Sequence, residues 1–90
     1  MKVQFKPTET HEAIQWTGEN KDEVFEFIKR VFRSVMVGTM GEAIIFQYYW
    51  EVTNSNAQYV LSKMDYLVSN NPVPYNEGSF NDTFNVMEGE

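Results

Sequence analysis

The sequence contains no cysteine and a single histidine among its 90 residues. The absence of cysteine excludes a disulfide scaffold, a thiolate zinc site and a cysteine nucleophile. With one imidazole, most histidine metal sites are excluded as well, and we expect no metal and no cofactor. Basic residues are also scarce, since 7 Lys and Arg stand against 13 Asp and Glu and give a formal net charge of −6. Nucleic-acid affinity is built mainly from Lys and Arg that displace counterions, so we expect no direct nucleic-acid binding.

Long hydrophobic runs are missing too. No stretch approaches the roughly 20 apolar residues that cross a bilayer, so we expect no membrane contact. Residues 1–7 contain two lysines but no apolar stretch behind them, which predicts no signal peptide and a cytoplasmic location. Hydrophobic residues nevertheless make up 42% and aromatic residues 16% of the chain. That content is typical of a compact protein, and the length predicts a single domain over residues 1–90.

Residues 20–33 form the clearest predicted element, an amphipathic helix. Asn20, with Glu23 three residues later, has the pattern of a capping box. Apolar residues recur every three or four positions after it and form one stripe. Acidic residues stand in the first turn and basic residues in the last, in agreement with the helix dipole. Ser79 is predicted to cap a second, single helical turn over residues 80–83.

Alternation of apolar and polar residues predicts strands in the rest of the chain. In the longest of them the even positions from Ile44 to Val52 are large and apolar, so we expect one face in the core and the other partly in water. Together the elements predict an α+β fold in which a small, mostly antiparallel sheet packs against one main amphipathic helix. The predicted strands are residues 11–17, 34–40, 42–52, 58–61, 66–69 and 84–88.

Two stretches of the chain resemble a known family. Residues 12–20 (EAIQWTGEN), followed by Glu23-Val24 and Phe27-Ile28, resemble the opening of small uncharacterised proteins of tailed phages and prophages. The second half of the family's pattern is matched more loosely. The matching residues are 64–68 (MDYLV), then Pro74-Tyr75, then 80–84 (FNDTF). Met64 replaces the family's usual glycine and Phe84 its usual tyrosine. The resemblance implies a phage-genome origin and no particular reaction.

If the glycine that Met64 replaces normally adopts a positive φ, then Met64 holds a different turn geometry or carries strain.

The candidate catalytic motifs are weak. His11-Glu12 begins like a zincin motif, but position 15 is Gln where a second histidine is needed, and the segment is predicted as a strand. Asp65 has no second carboxylate or base at a recognisable spacing, and we expect it to accept backbone hydrogen bonds in a turn. Residues 38–41 have the Gly-x-x-Gly pattern without any Lys or Arg, which indicates a turn. We therefore expect no catalytic residues.

Two groups of residues are candidates for binding a protein partner. Tyr49 lies on the wetter side of the longest strand beside Gln47, and an exposed tyrosine is a good contact residue. Residues 64–90 contain no Lys or Arg, and five of the six net negative charges lie there. Glu77, Asp82 and Glu88 in this segment are candidates for contact with a basic partner. The same features are also typical of a partly covered tyrosine and of a solubilising acidic surface.

The sequence leaves more than one function open. The first hypothesis is a non-catalytic phage or prophage accessory protein that binds a protein partner, either to modulate a host factor or host defence or to serve in phage assembly. The alternative is a module that binds or sequesters a nucleotide-like small molecule, with Lys29, Arg30 and Arg33 at its site. An enzyme is the third. We also predict a homodimer or higher assembly, because the longest strand is apolar on both faces.

Overall fold

The computed structural model describes residues 2–6, 9–34 and 36–86 of the chain. They form eight strands and two helices, which confirms the α+β fold class predicted from the sequence. In chain order the elements are β1 (Lys2–Lys6), β2 (Glu9–Gln15), α1 (Lys21–Val31), β3 (Val37–Met40), β4 (Ala43–Trp50), β5 (Ser55–Leu61), β6 (Tyr66–Val68), β7 (Asn71–Tyr75), α2 (Glu77–Thr83) and β8 (Asn85–Val86).

The strands make two antiparallel sheets rather than one. The larger sheet has five strands in the order β7-β6-β2-β1-β8, and the smaller has three in the order β3-β4-β5. Trp16 connects them, because it follows β2 and its indole Nε1 donates to the Glu42 carbonyl in the turn before β4, at 2.8 Å. β1 was not predicted, although Val3 within it is fully buried.

Helix α1 confirms the strongest prediction, except at its ends. Asp22 and Glu23 lie in the first turn and Lys29 and Arg30 in the last. The predicted cap is wrong: Asn20 makes no side-chain cap hydrogen bond, because its Oδ1 accepts from the Thr17 backbone N–H and its Nδ2 donates to the Gln15 carbonyl. The side chain therefore holds the preceding loop instead of the helix.

An ion pair fastens α1 to the larger sheet. The Arg30 Nη1 donates to the Glu12 Oε2 on β2 at 2.8 Å. That hydrogen bond lowers the pKa of Glu12 below its ordinary value of 4.5. The pair is present at neutral pH and is lost as the pH falls through the lowered pKa. Both side chains are about half exposed, so the stabilisation is of the order of 0.2–1 kcal/mol.

The side chains are buried in two cores on opposite faces of the larger sheet. The first lies between the two sheets and α1, and the second lies between the larger sheet and α2. Strand β2 contributes side chains to both cores, since Ile14 packs on the first core and Ala13 is buried in the second. Residues of the first core are Trp16, Val24, Phe27, Ile28, Phe32, Ile44, Phe46, Leu61 and Leu67.

Strand β4 has the inner apolar face that its alternation predicts. Ile44 and Phe46 are buried, and the ring of Phe46 stacks on that of Phe32 at the end of α1, with the centroids 5.8 Å apart. Val52, predicted on the same face, is 96% exposed. The strand ends at Trp50 and residues 51–54 form a turn, so the alternation does not reach Val52.

The C-terminal part differs from its prediction in detail. The second helix begins at Glu77, and it is Asn76 that caps it, since the Asn76 Oδ1 accepts from the Ser79 backbone N–H at 2.8 Å. Phe84 is buried at the end of this helix instead of beginning a strand. The last strand is Asn85–Val86, and the remainder of the predicted strand at 87–88 lies outside the described residues.

Met64 adopts the left-handed backbone conformation, with φ of 74°. It does so in the turn before β6, where its N–H donates to the Trp16 carbonyl at 2.6 Å. A side chain in this conformation costs about 1–2 kcal/mol relative to glycine. Met64 therefore carries backbone strain in this turn.

We predict that Met64→Gly has a higher free energy of unfolding than Met64→Ala, by about 1 kcal/mol, because both lose the same side chain and only glycine relieves the backbone. Urea unfolding of the two variants measures the difference. Equal stabilities, or a less stable glycine variant, would show that Met64 is not strained.

Candidate functional site

The candidate catalytic residues either have structural roles or lie apart from one another. The Asp65 Oδ2 accepts from the Ser62 backbone N–H at 3.1 Å, which confirms the predicted turn role. His11 lies within β2 opposite Val3 on β1. Over the described ranges, no group of three or more His, Asp and Glu is arranged to hold a metal ion. The features that remain are surfaces.

The most distinctive surface is the outer side of the smaller sheet. Side chains alternate along a strand, so the burial of Ile44 and Phe46 points Ile45, Gln47 and Tyr49 outward. The register places outward residues of β3 and β5 beside them. We call this surface the open face; its members are Met36, Gly38, Met40, Ala43, Ile45, Gln47, Tyr49, Asn56, Gln58 and Val60.

The open face is mostly apolar, and its members carry no charge. Four of its large residues are about half exposed: Met36 (58%), Met40 (57%), Tyr49 (49%) and Val60 (41%). None of its members carries a charge, although the chain has a net charge of −6. The larger sheet differs, because it has a buried core on each of its two faces. The smaller sheet buries its inner face alone.

A shallow groove crosses the open face at Gly38. It has a volume of about 250 Å³ and is lined by Met36, Ile45, Gln47 and Gln58 among others. Gly38 pairs with Ile45, and a Cβ built on Gly38 would meet no atom within 4 Å. The missing side chain therefore opens a recess beside Ile45.

Tyr49 stands at one end of the open face and is held in place. Its hydroxyl hydrogen-bonds to the Asn54 Oδ1 in the turn that joins β4 to β5. Tyr49 also borders a larger and more polar groove of about 690 Å³, to which Arg33, Tyr48 and Glu51 contribute. A tyrosine fixed by its own hairpin loses little side-chain entropy when it makes a contact.

The structure divides four of the five predicted partner-binding residues between two surfaces. Gln47 and Tyr49 lie side by side on the open face. Glu77 and Asp82 lie on α2, which packs through Phe80 on the second core of the larger sheet. Glu88 lies outside the described residues.

Glu77 lies near the Tyr66 phenol. Burial raises the pKa of that phenol, and the negative charge of Glu77 raises it further. Glu77 and Asp82 therefore belong to a surface on the larger sheet that is separate from the open face on the smaller one.

Sequence reasoning missed most of the apolar members of the open face. Met40 and Val60 come from β3 and β5, and Met36 directly precedes β3. Only the pairing with β4 shows that they flank that strand. The sequence carried one signal of this surface, which was the apolar character of both faces of β4.

Comparison with known proteins found no matching family model, no matching curated protein and no matching solved structure. In the part of the chain that the structure describes, neither helix has the length and hydrophobicity required to cross a bilayer.

The open space at Gly38 leads to a prediction that compares the stabilities of two glycine variants. Gly38 and Gly41 both have open space where a Cβ would stand, but only Gly41 has a positive φ, of 61°. We expect Gly38→Ala to raise the free energy of unfolding by about 0.5–1 kcal/mol, because alanine has less entropy to lose in a strand, and Gly41→Ala to lower it by about 1 kcal/mol. Urea unfolding compares the two, and a destabilising Gly38→Ala would mean that the recess is filled.

Proposed function

We propose that this chain is a non-catalytic interaction protein that binds a protein partner through its open face. The observation that carries the proposal is the uncovered outer side of the smaller sheet, where Met36, Met40, Ile45 and Val60 form a contiguous uncharged patch around a groove. Contiguous exposed apolar surface of this kind is typical of interaction sites.

The open face has the composition of a binding surface. Its apolar residues are contributed by all three strands, and the side-chain amides of Gln47, Gln58 and Asn56 supply hydrogen-bonding groups among them. Interfaces combine an apolar centre with polar groups and frequently use a tyrosine as an energetic anchor, the part that we assign to Tyr49.

The resemblance to small proteins of tailed phages and prophages suggests where such binding matters. We propose an accessory protein in the cytoplasm of the host cell, which either modulates a host factor or a host defence, or serves in phage assembly. Residues 12–20 support this origin. A non-catalytic role is supported by the use of Asp65 as a turn residue.

A basic partner would use a different surface. Glu77 and Asp82 on α2 lie in a segment without Lys or Arg, and binding there would weaken steeply with salt. The open face carries no charge, so we expect partner binding at that face not to weaken as salt is added. The salt dependence of binding therefore separates the two surfaces.

One observation favours the small-molecule alternative. Arg33 lines the groove of about 690 Å³ beside Tyr48 and Tyr49, where a guanidinium is available for a phosphate and an aromatic ring for a base. A nucleotide that binds there at 100 times its dissociation constant would add about 2.7 kcal/mol to the stability. A thermal shift with a panel of nucleotides, lost in Arg33→Ala, would favour this function over protein binding.

Two matched variants test the protein-binding proposal. Val60 on the open face and Val73 on β7 of the larger sheet have similar exposures, 41% and 45%. We predict that Val60→Glu loses the proteins captured from a host lysate by the wild-type chain, because it places a charge in the apolar patch. Val73→Glu should retain them, since it adds the same charge elsewhere.

Quantitative comparison of the captured proteins, together with the melting temperatures of both variants, measures this effect. Loss of capture in both variants, or in neither, would contradict binding through the open face.

A further inference from the structure

We infer that the partner which the open face takes is a second copy of this chain, with two open faces packed against each other about a two-fold axis. The inference rests on the proposed function, in which the open face is a binding surface, and it names the occupant. The inference is argued from the charge, the shape and the area of the open face.

The charge distribution favours this face for contact between like chains. Two copies that each carry a net charge of −6 repel one another, and the repulsion is smallest where the touching surfaces hold no carboxylates. The open face is uncharged from end to end. Its nearest charged residues lie at its margin. Arg33 and Glu51 line the larger groove that Gln47 and Tyr49 also line, and Glu42 lies in the turn after Met40. Charges that lie only at the margin are the usual arrangement of an interface.

The shape of the open face is suited to pairing with itself. Ile45 and Tyr49 lie two residues on either side of Gln47, each about 6–7 Å from it along the strand. Gly38 and its groove lie beside Ile45. The two-fold axis lies between the two packed sheets, perpendicular to the strands and level with Gln47. It therefore places the Tyr49 of each copy over the Gly38–Ile45 row of the other. The Tyr49 ring of each copy then meets the recess of the other, as an isologous contact requires.

The area sets the strength of the expected dimer. Three strands about 4.8 Å apart and a β4 of 8 residues outline roughly 14 by 26 Å of sheet. This is about half of the roughly 800 Å² that each partner covers in a standard stable interface. We therefore expect a dimer that forms reversibly at micromolar to millimolar concentration.

Gln47 provides a test that only self-association can pass. Next to the two-fold axis, Gln47 of one copy lies close to Gln47 of the other. Gln47→Glu and Gln47→Lys, each by itself, set two like charges against each other and should weaken the dimer at least tenfold. An equimolar mixture of the two variants brings opposite charges together and should restore association. A partner of a different sequence cannot produce this pattern.

Sedimentation equilibrium from about 10 µM to 1 mM measures the association at about 50 and 500 mM NaCl. We expect the wild-type dimer to tighten severalfold at the higher salt concentration, because salt screens the repulsion between the acidic chains. Val73→Glu serves as the charge-matched control and should dimerise as the wild type does, apart from a small increase in that repulsion. Circular dichroism establishes that each variant is folded.

The outcomes separate this inference from the function on which it rests. A wild-type chain that stays monomeric at 1 mM, or a dimer that persists in both Gln47 variants, overturns the second copy as occupant. If capture of lysate proteins is nevertheless lost in Val60→Glu alone, the open face still binds a partner and only its identity was wrong. If the dimer behaves as expected but the capture of lysate proteins is not lost in Val60→Glu alone, the open face serves self-association.

Discussion

A single long helix has to cover two sheets, and the rest of the structure follows from how it does so. Helix α1 places Val24, Phe27 and Ile28 in the core between the sheets, and Phe32 at its end stacks on Phe46 of β4. The short helix α2 covers the far side of the larger sheet with Phe80. No third helix is present among the described residues to cover the outer side of the smaller sheet. The open face is thus a consequence of the fold.

Periodicity accounts for the parts of the fold that could be predicted. Helix α1 and the inner face of β4 carry patterns of 3.6 and 2 residues, which depend only on neighbours in the chain. Long-range contacts decided the parts that could not. Asn20 matches a helix cap in sequence, yet its side chain bonds to Gln15 and Thr17 because the loop folds back on β2. β1 was missed although its Val3 completes the second core, a contact with residues far along the chain.

The candidate site was predictable only along one strand. Gln47 and Tyr49 were found because they alternate with buried residues of β4. Met36, Met40 and Val60 join them through strand pairing, which the sequence does not specify. Glu77 and Asp82 show the converse, since the acidic charge concentrated in residues 64–90 places them on α2, which packs on the larger sheet and not on the sheet of Tyr49. A surface is a property of the fold, and a linear pattern indicates it only where one strand supplies several of its members.

Methyl NMR during dilution tests most directly whether the open face is the surface that associates. The Met36, Met40, Ile45 and Val60 methyl groups report on this face, and those of Val52 and Val73, which are also exposed, report on the rest of the surface. The account predicts that the first group of signals shifts between about 10 µM and 1 mM protein at 0.3 M salt, while Val52 and Val73 stay fixed. Shifts confined to Val52 and Val73, or signals of the open face that are unchanged at every concentration, would contradict it.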